Sequence, residues 1–262
     1  MNKTVIYALV VIYNKECTDS IACQCLKTIS DVCVIIADNS TIPTSNADFA
    51  QQNGWKYVSM GGNFGLAKAY NRGIELAEVQ NSIVCLFDDD TEVDKNYFEE
   101  LMQKEREEPD TKLFLPLVYD EIGLLSPSVI KGLVVSRVTD ISDIEAENIN
   151  GINSGMAIRR DVFYDYRYDE SYFLDYIDHA FIRDIKQRGL KISVFSVQLK
   201  QAFFANSQAE IAAIIKRFKI FKKDFKHFCG ESPEGCKYYR KEITEQKKAM
   251  FLKFKNIRLL LM

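Results

Sequence analysis

Three consecutive carboxylates, Asp88-Asp89-Asp90, close an apolar run ending in Leu86-Phe87. Like charges packed this closely repel unless a cation neutralises them. Hard oxygen ligands suit Mg²⁺ or Mn²⁺, and either ion can bridge diphosphate oxygens. The competing reading is a solvated turn that caps the next helix, where Asp is favoured. Upstream, Gly61-Gly62-Asn63-Phe64-Gly65 stands before a helical pattern. Glycines there let backbone approach a ligand closely, and the following helix N-terminus favours anionic groups. The spacing is neither G-x-G-x-x-G nor a Walker loop, so a plain tight turn stays open. Asn71 and Arg72 follow in that helix, on a turn that could face the same end of the fold. The third candidate is Phe173-Leu174-Asp175-Tyr176-Ile177-Asp178-His179. Asp175 and Asp178 are three apart and share a face at a helix start. A carboxylate among Tyr and Phe side chains can act as general base on a hydroxyl. Helix capping by Asp175 is the alternative.

The elements around these residues explain why they would meet. Val5 to Tyr13 is a nearly unbroken β-rich apolar run that ends at Asn14, as in a strand buried on both faces. Ser20 to Ile29 is helix-like. Asp31 to Ala37 forms a second strand closed by Asp38-Asn39-Ser40, and Trp55 to Met60 a third. Leu66 to Val79 has helical periodicity. Ser82 to Phe87 is a fourth strand, and Asn96 to Glu108 a helix that Pro109 ends. This alternation predicts an α/β domain with a largely parallel sheet, in which ligands collect at the carboxyl ends of the strands. Asn14, Asp38, the glycine segment and the Asp triplet each follow a strand directly. Farther on, Leu113 to Tyr119, Gly132 to Arg137, Gly151 to Ile158 and Ser193 to Leu199 have strand character. Tyr176 to Arg188 is a helix closed by Gly189.

The bulk composition excludes several classes. The chain has 262 residues, 47% hydrophobic and 27% charged, with a formal net charge of −3. That is an ordinary globular balance, with no global charge argument for nucleic-acid binding. Seven cysteines with only two histidines offer no zinc spacing. Met1-Asn2-Lys3 leads straight into the first strand, so the thiols are expected reduced, in a cytoplasmic protein. No apolar run reaches the length needed to span a bilayer. No G-x-S-x-G elbow surrounds Ser154, and nothing selects a Cys–His pair.

Taken in order, the motifs resemble glycosyltransferase family 2, of the GT-A (nucleotide-diphospho-sugar transferase) fold, and its rhamnosyltransferase and galactofuranosyltransferase-like branch. The run Gly61-Gly-Asn-Phe-Gly-Leu-Ala-Lys-Ala-Tyr-Asn-Arg-Gly73 is similar to that branch's N-x-G-x-A-x-A-x-N-x-G pattern. Leu86 to Thr91 resembles its D-x-D metal motif. Gly151 to Arg160 resembles its S-G-x-x-x-R-R segment, and Tyr172 to Phe181 its F-x-D-Y-x-D motif. The resemblance spans Val5 to Ala205. It implies a mostly parallel central sheet with helices on both faces and an inverting, metal-dependent transfer from a nucleotide-diphosphate sugar, such as dTDP-rhamnose or a UDP-sugar. Asp88 and Asp90 would hold Mn²⁺ or Mg²⁺, and Asp178 would be the catalytic base. Tyr13, Asn14, Asp38, Gly62, Asn63, Gly65, Lys68, Asn71, Arg72 and Asp89 would contact the donor. Ser154, Gly155, Asp175 and Tyr176 would contact the acceptor, a glycan or lipid-linked glycan of the kind found in surface polysaccharides. The sequence departs from the family where relatives carry a metal-binding His in an L-x-H setting. The matching stretch here is Leu199-Lys200-Gln201, and Gln201 is a poorer ligand, for which His179 is a weak substitute.

Residues 1–205 are thus expected to form the catalytic domain, and residues 206–262 a C-terminal helical extension. From Ile211 onward there are fourteen Lys/Arg against five Asp/Glu, in amphipathic helical spacing broken between Gly230 and Gly235. Such helices either lie on an anionic membrane surface or pack on the catalytic domain or a homodimer partner. A sugar-phosphate nucleotidyltransferase is disfavoured because Tyr13-Asn14-Lys15-Glu16 replaces the Gly-rich loop that class carries after its first strand. A non-catalytic binding subunit of the same fold is disfavoured by the intact Asp88, Asp90 and Asp178.

Overall fold

The structure, a computed structural model, describes residues 4–201 and 211–261. The expected division between residues 205 and 206 lies outside them. The N-terminal half alternates as expected, with an additional helix between the second and third strands: β1 (Val5–Ile12), α1 (Ile21–Leu26), β2 (Cys33–Asp38), α2 (Asn46–Gln52), β3 (Lys56–Ser59), α3 (Leu66–Glu75), β4 (Ser82–Phe87) and α4 (Lys95–Glu107). Then follow β5 (Leu113–Asp120), β6 (Gly123–Ser126), β7 (Ser128–Lys131), β8 (Val134–Ser136), β9 (Ile149–Asn150) and β10 (Ala157–Arg159). The chain continues through α5 (Ile177–Gln187), β11 (Ile192–Lys200), α6 (Ile211–Cys229), α7 (Pro233–Phe254) and α8 (Arg258–Leu261).

The central sheet runs β11-β5-β10-β4-β1-β2-β3, with β6 added beside β5, and β8-β7-β9 form a small separate sheet. β3, β2, β1 and β4 are parallel neighbours, and β11 is parallel to β5. β10 enters antiparallel between β4 and β5. From β1 the chain winds outward to β2 and β3, then returns to the other side of β1 as β4. The loops after β1 and β4 therefore diverge, and such a reversal opens a crevice at the carboxyl ends of the strands.

Strict alternation along the strands divides the core in two. Leu9, Ile35, Val84 and Leu86 face one layer, together with residues of α3, α5 and α6. Ala8, Val10, Ile36, Cys85 and Phe87 face the other, with residues of α1 and α4. This period of two is what a strand covered on both faces requires. Gly73 is where α3 crosses β1. A Cβ there would lie 2.3 Å from Leu9 Cδ1, so only glycine allows this approach.

Several expectations need correction. β2 begins at Cys33 rather than Asp31, and α3 ends at Glu75 rather than Val79. Gly132, expected inside a strand, has φ +61° and turns the β7–β8 hairpin instead. Of Gly151 to Ile158 only the end is strand. Asn153 to Gly155 turn, with Gly155 at φ +75°, before β10 starts. α2 escaped notice because its buried face is only Asn46, Phe49 and Ala50. Asp175 does not share a helix face with Asp178. Tyr176, at φ +63°, precedes α5 in left-handed geometry and places Asp175 outside the helix.

The C-terminal helices pack on the α/β unit. Phe218, Phe225 and Phe228 of α6 and Ile243 of α7 belong to the same buried cluster as Leu9 and Leu86 of the sheet. Among the described residues no helix is long and apolar enough to cross a membrane. All seven cysteines are free thiols.

Candidate active site

A cleft of about 930 Å³ opens at the carboxyl ends of the strands. Tyr13 comes from the end of β1, and Asn39 and Thr41 from the end of β2. Asn63 and Gly65 come from the glycine segment, and Asp88, Asp89 and Asp90 from the end of β4. Gln201 lies just past β11, and Lys216, Arg217 and Ile220 line the cleft from α6. The lining thus combines an acidic triplet from β4 with basic residues of α6.

The acidic wall is braced from below. Ser20 Oγ donates to the Asp89 carbonyl at 2.8 Å, and Lys15 Nζ lies 2.6 Å from its carboxylate. The Thr91 and Ser154 hydroxyls are 2.7 Å apart in the interior, and Gly155 N–H bonds to the Leu86 carbonyl at 2.7 Å. A Cβ on Gly155 would fall 2.4 Å from Leu199, so this turn packs tightly under β11. Burial pushes the Asp88 carboxyl up to about 6, with the Asp90, Asp89 and Asp178 charges adding and a hydrogen bond from Gln201 opposing. Burial and Asp89 likewise raise Asp90, against Lys15.

Asp178 occupies the first turn of α5 and lines a smaller recess of about 300 Å³ with Asp175, Tyr176, His179 and Phe221. Leu174 lines both this recess and the larger cleft. Tyr70 is completely buried, which raises its phenol far above the ordinary range, and the charges of both Asp88 and Asp178 add to that effect. His179 packs its ring against Tyr176, its Nδ1 is 3.0 Å from the buried Asn150 amide, and it lines the recess rather than the cleft that holds Asp88.

The donor set around Asp88 fits a hard divalent cation. Gln201 Nε2 donates to Asp88 Oδ2 at 3.0 Å, while its Oε1 is buried with no protein partner. Two carboxylates and one orphaned amide oxygen make an all-oxygen set of the kind Mg²⁺ shares with substrate phosphates. Among the described residues no three His, Cys, Asp or Glu side chains gather as a self-sufficient metal site. An ion here would complete its shell with phosphate and water oxygens.

Of the sequence-selected residues, Tyr13, Asn63, Gly65, Asp88, Asp89 and Asp90 line the cleft, and Asp175, Tyr176 and Asp178 the recess beside it. Others are occupied elsewhere. Asp38 is 3% exposed and accepts hydrogen bonds from Ser40 N–H, the Thr44 hydroxyl, the Asn46 amide and the Tyr57 hydroxyl. Burial opposes its ionisation, yet the donors from Ser40, Asn46 and Thr44 hold its carboxyl below the usual range. Asp38 organises the loop, and its neighbour Asn39 faces the cleft. Asn39 donates to Asn63 Oδ1 and the Gly65 carbonyl and accepts from Phe64 N–H, latching the glycine segment. Asn14, at φ +50°, accepts from Thr41 and so ties the first two strand-end loops together. Asn71 is buried and brackets the Tyr168 backbone, and Arg72 pairs with Glu75 on the surface. Lys68 Nζ lies 3.8 Å from Glu170 and over the Phe64 ring. Gly62, at φ +148°, shapes the turn. Ser154 and Gly155 are buried beneath the Asp triplet rather than exposed to an acceptor.

Sequence reading overlooked Asn39, although it stands inside the quoted Asp38-Asn39-Ser40 string. It also missed the cleft-lining role of Lys216 and Arg217, which no local signal marks.

The family profile described as glycosyl transferase family 2 matches residues 8–167. No curated protein sequence matches. Among solved structures, GalNAc-T7 with UDP, GalNAc and Mn²⁺ aligns with a TM-score of 0.60 at 16% identity, over 77% of this chain and 44% of that one. S. aureus TarS 1-349 aligns at 0.57 and 16% identity, over 86% of this chain and 64% of that one. A longer S. aureus TarS structure aligns at 0.57 and 15%, over 86% and 39%. At these identities the structures speak for the fold alone, and this chain spans less than two thirds of each of them. A profile match over more than half the chain, on a GT-A sheet whose strand ends carry the acidic cleft, establishes that the chain belongs to glycosyl transferase family 2.

Proposed function

We propose that the chain is an inverting glycosyltransferase that uses a nucleotide-diphosphate sugar, with its diphosphate lying between the Asp triplet and the basic face of α6. One observation carries this reading: Asp88, Asp89 and Asp90 line a larger compartment and Asp178 a smaller one, and the two meet at Leu174. The larger cleft suits the nucleotide and diphosphate. The recess, with Asp175 and Asp178 in its lining, suits an acceptor hydroxyl.

In this reading Tyr13, Asn39 and Thr41 contact the nucleoside, and the loop from Asn63 to Gly65 contacts the donor sugar side. Asp88, Asp90 and the Gln201 amide oxygen would hold Mn²⁺ or Mg²⁺. Such an ion, when bound, supplies Lewis-acid stabilisation of the departing diphosphate. Lys216 adds positive charge from α6, where Arg217 is already paired with Asp175. Asp178 takes the proton of the acceptor hydroxyl as that oxygen attacks the anomeric carbon. The bond to the diphosphate breaks on the opposite side, which inverts the configuration. The donor is a UDP- or dTDP-sugar and the acceptor a glycan or lipid-linked glycan, as in the rhamnosyl and galactofuranosyl branch. The basic helices would also serve a cytoplasmic enzyme working peripherally at an anionic membrane.

A thermal-shift screen of UDP-, dTDP- and GDP-sugars with Mn²⁺ selects the donor. Asp178→Asn then lowers turnover about 10²- to 10⁴-fold while donor binding persists. A variant that transfers sugar at the normal rate refutes the base assignment.

A further inference from the structure

We infer that Asp224, in the helix α6 beyond the family match, is a positioning residue that sets the catalytic geometry of Asp178. This rests on the function proposed above.

Asp224 is fully buried. Its Oδ1 accepts from Phe173 N–H at 3.1 Å, and its Oδ2 accepts from Leu174 N–H at 2.8 Å and Asp175 N–H at 2.9 Å. Among the described residues no Lys or Arg forms an ion pair with it. Burying a carboxylate is costly unless its oxygens are satisfied, and three charge-assisted bonds meet that need. The three N–H groups belong to consecutive residues of irregular backbone, which would otherwise lack partners inside the protein.

The segment that Asp224 grips joins the two halves of the site. On the donor side, the Phe173 carbonyl accepts from Leu66 N–H at 2.6 Å, and a Cβ on Gly65 would come within 2.8 Å of that same oxygen. On the acceptor side the segment runs through Tyr176, held at φ +63° with its ring stacked on Phe225 and Phe228 of α6, into the α5 turn that carries Asp178. Arg217 adds a bidentate pair to Asp175, both bonds at 2.6 Å, from about two turns earlier in α6. The distance between the glycine segment and the base is therefore set by α6, through one buried carboxylate. A misplacement of about 1 Å between reacting groups can cost about 10²-fold in rate.

The test uses the full chain and the hydrolysis of the UDP- or dTDP-sugar that binds best, with water in place of the acceptor. Asp224→Asn keeps size and shape, but an amide cannot accept from all three N–H groups. The expected result is a kcat about 10- to 100-fold lower with the donor KM unchanged. Phe218→Leu serves as a control, since Phe218 is buried in the same helix without gripping this segment. It should lower the melting temperature while leaving kcat intact. Asp224→Glu is scored by the same criteria if the Asn variant does not fold. A folded Asp224 variant with normal kcat, or an equal kcat loss in Phe218→Leu, overturns the inference. Asp178→Asn, run alongside, separates the two ideas. If it is inactive while Asp224 variants are normal, only the positioning role fails. If it is fully active, the base assignment fails first.

Discussion

Replacing Asp88 by Asn is expected to stabilise the metal-free protein while abolishing its activity. Burial, with the charges of Asp90, Asp89 and Asp178, raises this carboxyl from 3.8 to about 6 in the folded chain. A group whose acid form is favoured by folding costs no stability below its unfolded value. The cost grows as pH rises from about 3.8 to about 6 and is constant above that. Fully expressed, the shift corresponds to about 3 kcal/mol at neutral pH. Asp88 is only half-buried, so solvent screening leaves about half of that. Asn retains a carbonyl oxygen able to accept from Gln201 Nε2, so the one favourable contact survives. At about 2–4 °C per kcal/mol for a chain of this size, the variant should melt about 3–6 °C above the parent in EDTA near neutral pH. Near pH 4 the gain should shrink to about 0.5 kcal/mol or less. Calorimetry in EDTA at both pH values, with sugar-nucleotide turnover in Mn²⁺, measures all three quantities. A variant no more stable than the parent at neutral pH, or equally stabilised in acid, would refute the electrostatic account of the Asp triplet.

Two further outcomes test other parts of the structure. Gly73→Ala drives a Cβ into Leu9 at the α3–β1 crossing and should cost about 1–3 kcal/mol in denaturant unfolding, with little change in turnover per folded molecule. An unchanged unfolding midpoint would mean that the two elements can separate freely. Gln201→Ala removes the orphaned amide oxygen beside Asp88 and should weaken apparent Mn²⁺ affinity about tenfold, read from the midpoint of Mn²⁺-dependent thermal stabilisation. An unmoved midpoint excludes Gln201 from the metal shell.

The sequence by itself determined the frame of this protein. Apolar runs of strand length, each ended by polar or glycine residues, specify a parallel sheet and put Tyr13, Asn63, Gly65 and the Asp triplet at one rim. Such signals are local, because burial on both faces of a strand writes itself into consecutive residues. Tertiary structure alone decided which polar side chains remain free to meet a ligand. Asp38, Asn71 and Ser154 stand in motif positions, yet partners consume them, and those of Asn71 and Ser154 are distant: 97 residues separate Asn71 from Tyr168, and 63 separate Thr91 from Ser154. The same holds for α6. Its basic, amphipathic spacing is equally compatible with a membrane surface, a partner chain or the enzyme's own cleft. Contacts that return to residues far upstream, among them those of Asp224 to the backbone of Phe173–Asp175, 49 to 51 residues earlier, make α6 a wall of the site. A hydrogen bond between residues so far apart leaves no periodic trace in the chain, since the partner of each group is selected by packing rather than by spacing.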